Sequence, residues 1–211
     1  MRRKTMTILS RTEQTGRSMV EMLGVLAIIG VLSVGGISGY SKAMAKYKLT
    51  KAQDQITMLL MNIRTAYATS PSYSGLTTAA VAAYNIAPGE MIVGDATIGD
   101  AGTTGTVTLN GAFGGAVNVA SLGTRDSYFY IQMRALAPEA CRSLASSDWG
   151  ADGLVMMSVG ADAEVTLDDA AVDETCETAD DNFCAGDLPL GLATAASQCN
   201  HSLNQITWVY Y

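Results

Sequence analysis

The chain of 211 residues is 48% hydrophobic and only 16% charged, with a formal net charge of −7. That composition excludes a charge-rich disordered chain and a basic nucleic-acid binder, so no nucleic-acid partner is expected. A polytopic membrane protein is excluded as well, because only one long stretch, Met22 to Ile37, is apolar and free of charge. A single-anchor or secreted protein with one moderate globular domain is what remains.

The chain begins basic and turns acidic. Residues 1–16 hold Arg2, Arg3, Lys4 and Arg11 against Glu13, a net +3, which leaves −10 for the rest. A basic stretch followed by an apolar run has three readings. One is a cleaved signal peptide, with Ala43-Met44-Ala45 as its small-x-small site. Another is an uncleaved transmembrane helix. The third is a segment cut before the apolar run, which is then kept as an anchor. The apolar stretch, Met19 to Ile37, exceeds the usual signal core and approaches the ~20 residues that span a bilayer. Glu21 lies inside it. A carboxylate at the edge of a spanning helix is costly without a partner, which marks Glu21 as a functional candidate.

Gly16-Arg17-Ser18-Met19-Val20-Glu21-Met22-Leu23, followed by GVLAIIGVLSVGG, resembles the class III signal of type IV prepilins. The 16-residue leader resembles those of the type IVb subclass. The resemblance implies a prepilin peptidase that cuts between Gly16 and Arg17 on the cytoplasmic side. It places Glu21 at the glutamate of the fifth mature position. It also implies N-methylation of the new terminus, where Arg17 stands in place of the family's usual Phe, Met or Leu.

Beyond the apolar run, Ala52, Ile56, Leu59, Leu60, Ile63 and Tyr67 recur at three and four residues, which predicts an amphipathic helix. One helix is therefore expected from Met19 to Thr69, about 75 Å long, ended by Ser70-Pro71. Residues 19–39 would be membrane anchor and filament core, and 40–69 would pack on a domain. Gly35, Gly36 and Gly39 are expected to loosen the helix between these halves.

A short helix is predicted at Leu76–Tyr84, then a turn at Ala87-Pro88-Gly89. Residues 94–115 read as a hairpin or loop, with TVTL (106–109) and AVNVAS (116–121) flanking Asn110-Gly111. Their glycines fit no phosphate-binding pattern. Tyr128–Met133 alternates and is aromatic-rich, so it reads as a strand. Pro138 suits the first turn of a short helix carrying Cys141. Strands follow at Leu154–Val159 and Glu164–Leu167, a helix at Leu190–Cys199, and a last strand at Gln205–Tyr211. The expected fold class is α+β, a long N-terminal helix packed on an antiparallel sheet. Residues 1–16 form the leader, 17–69 the helix and 70–211 the head, with a disulfide region at 138–211.

Ten acids fall between Asp162 and Asp187 with no Lys or Arg among them, which reads as a solvated loop. Loose, non-specific Ca²⁺ binding is the only cation chemistry this stretch suggests. Asp148, Asp152 and Gly153 echo a calcium loop, but its twelfth position is Val159 rather than Glu. Cys141, Cys176, Cys184 and Cys199 have no C-x-x-C spacing and only His201 to join them, which argues against zinc. An even cysteine number behind an export-like N-terminus reads as two disulfides, with three pairings possible. The strand, the Pro-x-x-Cys, the late Cys199-Asn200 and the final I-T-W strand are similar to thin-pilus pilins of the type IVb group. That resemblance implies Cys141–Cys199, leaving Cys176 with Cys184.

There is no G-x-S-x-G or H-E-x-x-H, and His201 is the only histidine available as a catalytic base. No enzymatic activity and no cofactor are expected. The sequence reads as a structural subunit of a type IV pilus-like surface filament. Its expected partners are other copies of itself in a helical homopolymer, the prepilin peptidase, the pilus assembly machinery and, before assembly, the bacterial inner membrane. A pseudopilin or minor pilin of a secretion system, or a membrane-anchored or secreted binding protein, is the alternative.

Overall fold

The computed structural model describes residues 15–94, 96–99, 102–105, 107–123, 125–150, 153–162 and 181–211, with backbone alone at 15–18, 96–99 and 102–105. The expected strand at Glu164–Leu167, most of the acidic run and Cys176 lie outside these residues, as does most of the leader. The chain divides into two units, Met1–Met44 and Ala45–Tyr211. One helix, α1 (Thr15–Ala66), supplies residues to both.

In the second unit, the periodic residues of α1 do what their spacing dictates. Ala52, Ile56, Leu59 and Ile63 are fully buried in the main core. Leu60 and Tyr67 are half-buried at its edge. The helix ends three residues before the expected Thr69. There the chain tightens into turns, with Ala68 N–H donating to Thr65 O and Ser70 N–H to Tyr67 O. The Tyr67 ring leans on Tyr73 at 5.5 Å, holding the chain in its new direction.

The sheet has seven strands, all antiparallel: β1 (Ile92–Val93), β4 (Thr108–Asn110), β5 (Ala116–Leu122), β6 (Tyr128–Leu136), β7 (Leu154–Ala161), β8 (Asn182–Cys184) and β9 (Asn204–Tyr210). Their order is β1-β4-β5-β6-β9-β7-β8, so the C-terminal strand is interior, between β6 and β7. A separate hairpin pairs β2 (Ala96–Gly99) with β3 (Gly102–Gly105). The register of β6 on β9 aligns Phe129 with Tyr210, Ile131 with Trp208 and Met133 with Ile206. These six side chains are buried in the same core as the α1 stripe, which is the alternation a one-sided sheet requires.

On the opposite face, register sets Asn118, Gln132 and Thr207 side by side. Asn118 Nδ2 donates to Gln132 Oε1 at 3.0 Å, and Gln132 Nε2 donates to Thr207 Oγ1 at 3.2 Å. Buried amides need such partners, and this rung supplies them.

Three short helices complete the head: α2 (Thr78–Ala83), α3 (Pro138–Ala145) and α4 (Leu192–Gln198). Thr77 caps α2 by accepting a hydrogen bond from Ala80 N–H. Pro138 stands in the first turn of α3 as expected. The α+β architecture read from the sequence, a long N-terminal helix with an antiparallel sheet, is the one observed.

Candidate assembly segment and disulfide region

The first unit holds the residues that the sequence singles out for assembly. Gly16 and Arg17 lie in the first turn of α1, and Glu21 is exposed one turn further on. Between Met19 and Ile37, twelve large apolar side chains are each 52–76% exposed. Water is a poor solvent for this surface, since each such side chain gains about 1.5–3 kcal/mol from full burial. The interval between Glu21 and Lys42 holds 20 uncharged residues, about 30 Å of helix, which matches a hydrocarbon core. Among the described residues, α1 is the one helix long and apolar enough to cross a membrane.

Gly24, Gly30, Gly35, Gly36 and Gly39 have open space where a Cβ would stand. The helix passes through Gly35, Gly36 and Gly39 without a break. Their sequence cost is not expressed as an interruption, because each still closes the helical hydrogen-bond ladder.

At the other end of the chain, α3 and α4 bring two cysteines together. Cys141 sits in the middle of α3 and Cys199 caps the end of α4. They form a disulfide with Cα atoms 5.8 Å apart, across a sequence separation of 58. Both are fully buried. Cys184, at the end of β8, is also disulfide-bonded. Its expected partner Cys176 lies outside the described residues. The exposed His201 lies in the turn before β9, where Asn204 Oδ1 accepts from its backbone N–H.

Two polar contacts had no signal in the sequence, because they join residues far apart in the chain. Lys51 Nζ lies 2.9 Å from Glu90 Oε2, and Gln55 Nε2 donates to Glu90 Oε1 at 2.8 Å. Gln55 Oε1 in turn accepts from Ala112 N–H at 2.9 Å. Helix α1 thereby grips two separate loops of the head. The hydrogen bond to Lys51 holds the Glu90 carboxyl below its ordinary range, and Gln55 adds to that effect. The same contact raises the Lys51 ammonium above its ordinary value. The second contact joins Arg134 Nε to Asp162 Oδ1 at 2.9 Å, where the acidic run begins. Asp148, part of the failed calcium-loop echo, uses Oδ1 to accept from Gly150 N–H and so closes a local turn. Among the described residues, no three His, Cys, Asp or Glu side chains converge as a metal-binding group.

A family model described as PilS N terminal matches residues 46–211. No curated protein sequence matches the chain at a significant level. Among solved structures, the chain is similar to a type IV b pilin from Salmonella typhi, at 18% identity and a TM-score of 0.48, covering 77% of this chain and 97% of that one. It is also similar to TcpA, a type IV pilin from Vibrio cholerae El Tor biotype, at 15% identity and a TM-score of 0.49, covering 78% and 99%.

Proposed function

Because the chain belongs to the PilS N-terminal family and is a type IV pilin structural subunit, we propose that it is cut by a prepilin peptidase between Gly16 and Arg17 and polymerised through α1. Before assembly it is held in the bacterial inner membrane by a single span, with residues 70–211 outside the cytoplasm. After assembly it is part of an extracellular pilus. The observation that carries this reading is the uncovered apolar surface from Met19 to Ile37 with a carboxylate, Glu21, at its edge.

Lipid tails cover such a surface in the membrane. Once the helix leaves the bilayer, the apolar helices of other copies offer an equally apolar cover. Glu21 gives that assembly its selectivity. An unpaired carboxylate is costly in an apolar environment. Cleavage after Gly16 creates a new α-amino group at Arg17, and that cation on a neighbouring copy satisfies Glu21. Desolvation offsets most of the Coulomb gain, so the pair sets axial register more than it adds net stability.

Mass spectrometry of the mature N-terminus tests the reading. The expected start is Arg17, in protein recovered from filaments. A start at or after Lys46 would instead mean removal of the whole apolar run by an ordinary signal peptidase, and a secreted binding protein.

A further inference from the structure

Helix α1 carries a basic collar just beyond its apolar run. Lys42, Lys46 and Lys48 are exposed there, with the exposed rings of Tyr40 and Tyr47 among them. No Asp or Glu stands between Glu21 and Asp54 in the sequence, so the collar has no carboxylate of its own. Among the described residues, none of the three lysines forms an ion pair, whereas Lys51 is held by Glu90. Apart from Lys4, every lysine of the chain falls between 42 and 51. From residue 52 onward the cations are the arginines Arg64, Arg125, Arg134 and Arg142.

This placement runs against two ordinary preferences. Like charges four residues apart on a helix, as at Lys42 and Lys46, repel each other. Lysines beside the outer end of a span also weaken the positive-inside signal that orients it. An anion supplied from outside the chain removes the first cost and gives the second a use.

We propose that the collar binds the phosphate groups of anionic phospholipids in the outer leaflet of the inner membrane, and so fixes the depth of α1 before assembly. This rests on the membrane-span reading above. Three features select lipid over a second copy of the chain. The charges surround the helix: Lys42 and Lys46 are one turn apart, and Lys48 is about 160° around from Lys46. One protein surface cannot meet all three, but a headgroup layer encircles the helix. The depth also fits. The 20 uncharged residues after Glu21 set Lys42 at the outer edge of a hydrocarbon core. Lys48 stands about 9 Å further along, and helical side chains tilt toward the N-terminus, so Lys46 and Lys48 reach back to the phosphates. Tyr40 and Tyr47 occupy the level where amphipathic rings collect at a membrane surface. The third feature is chemical. Fixed ion pairs at protein contacts favour the planar guanidinium, whereas a flexible, strongly hydrated ammonium suits a fluid headgroup layer.

The test uses the full-length protein, inserted in phosphatidylcholine vesicles with trace spin-labelled phosphatidylglycerol or phosphatidylcholine. Electron paramagnetic resonance measures how much of each labelled lipid the protein holds. The Lys42→Gln, Lys46→Gln, Lys48→Gln triple variant keeps the basic leader, so its difference from the parent reports the collar alone. Each lysine near an anionic surface is worth about fivefold in attraction. The preference for phosphatidylglycerol should therefore fall at least fivefold in the triple variant. It should persist in the Lys42→Arg, Lys46→Arg, Lys48→Arg variant, and the difference between parent and glutamine variant should vanish at 1 M salt. Equal preference in the parent and the glutamine variant would overturn the proposal. So would carbodiimide crosslinks joining these lysines to carboxylates of a second copy in the vesicles. Either result, in correctly inserted protein, leaves cleavage after Gly16 and polymerisation standing. A mature start at or after Lys46 would instead remove the span and sink the membrane reading itself.

Discussion

Glu90 and Gly115 show how single residues hold the head together, in two different ways. Glu90 works by charge. Its folded carboxyl is depressed below the ordinary 4.5 by Lys51 and Gln55. A depressed carboxyl stabilises the fold above its unfolded value, and that stabilisation is lost as pH falls through the folded value. Lys51 is raised above 10.5, so its share is present below that pH and is lost as pH rises through the folded value. The parent should therefore melt above Glu90→Gln near neutral pH, and the gap should close as pH drops below about 4.5. Thermal melts of both proteins across the acid range check this. Added salt should narrow the gap too, since the pair is exposed.

Gly115 works by absence. A Cβ there would run into the backbone carbonyl of Arg134 and come within 2.9 Å of the Ala135 Cβ. The β6 backbone bulges at this point, where Ala135 takes a φ of 56° and pairing with β9 slips between Met133 and Leu136. Because the clash is with backbone, a rotamer change cannot relieve it. Gly115→Ala should cost about 1–3 kcal/mol, measured as a lower urea midpoint. An alanine at positive φ gives no warning in a sequence, so the bulge was illegible there. Gly115 was visible, but a close approach and a turn look alike when the crossing strand is unknown.

At the scale of elements, what was legible followed from local periodicity, and what was not depended on distant partners. The α1 stripe, the Pro138 start of α3, the alternating β6 and the aromatic β9 all carry their own signal. Helix and strand boundaries moved by at most four residues in these cases, the largest shift being the start of α1 at Thr15 rather than Met19. The two-residue β1 and three-residue β8 are too short to show alternation. They are strands because Leu109 and Met157 hold them in register. The Thr/Gly-rich β2 and β3 pair only with each other, in a stretch readable from sequence as hairpin or loop. The Cys141–Cys199 link came from the resemblance rather than from spacing, which left three pairings open. Its 58-residue separation implies about 4 kcal/mol of stabilisation in the chain-entropy model. Cys141→Ser with Cys199→Ser should lower unfolding free energy by about that amount in denaturant titrations. Non-reducing peptide mapping of the parent should recover the 141–199 link, and a 141–176 or 184–199 peptide would contradict it.

For the whole molecule, the two units solve opposite problems. The second buries its apolar stripe within its own chain, as the fully buried Ile56, Leu59 and Ile63 show. The first leaves its large apolar side chains from Met19 to Ile37 exposed. Foldedness and assembly are therefore separable, and Glu21 is the residue at which to separate them. It lies in the first unit, and every residue of the buried core belongs to the second. On the proposed reading, Glu21 meets the α-amino group of Arg17 on a neighbouring copy. Arg17 also brings a guanidinium four residues before Glu21 in its own helix, a competitor for the same carboxylate. Uncut precursor has no free amine at that place and should not polymerise. Glu21→Ala should remove the carboxylate without disturbing the head, so its melting curve should match that of the parent. The variant should be cut after Gly16 and remain in the inner membrane, with few or no filaments. Shearing and electron microscopy count the filaments, and membrane fractionation follows the subunit. Normal filament yield from Glu21→Ala would place Glu21 merely at headgroup level, with apolar packing alone driving assembly.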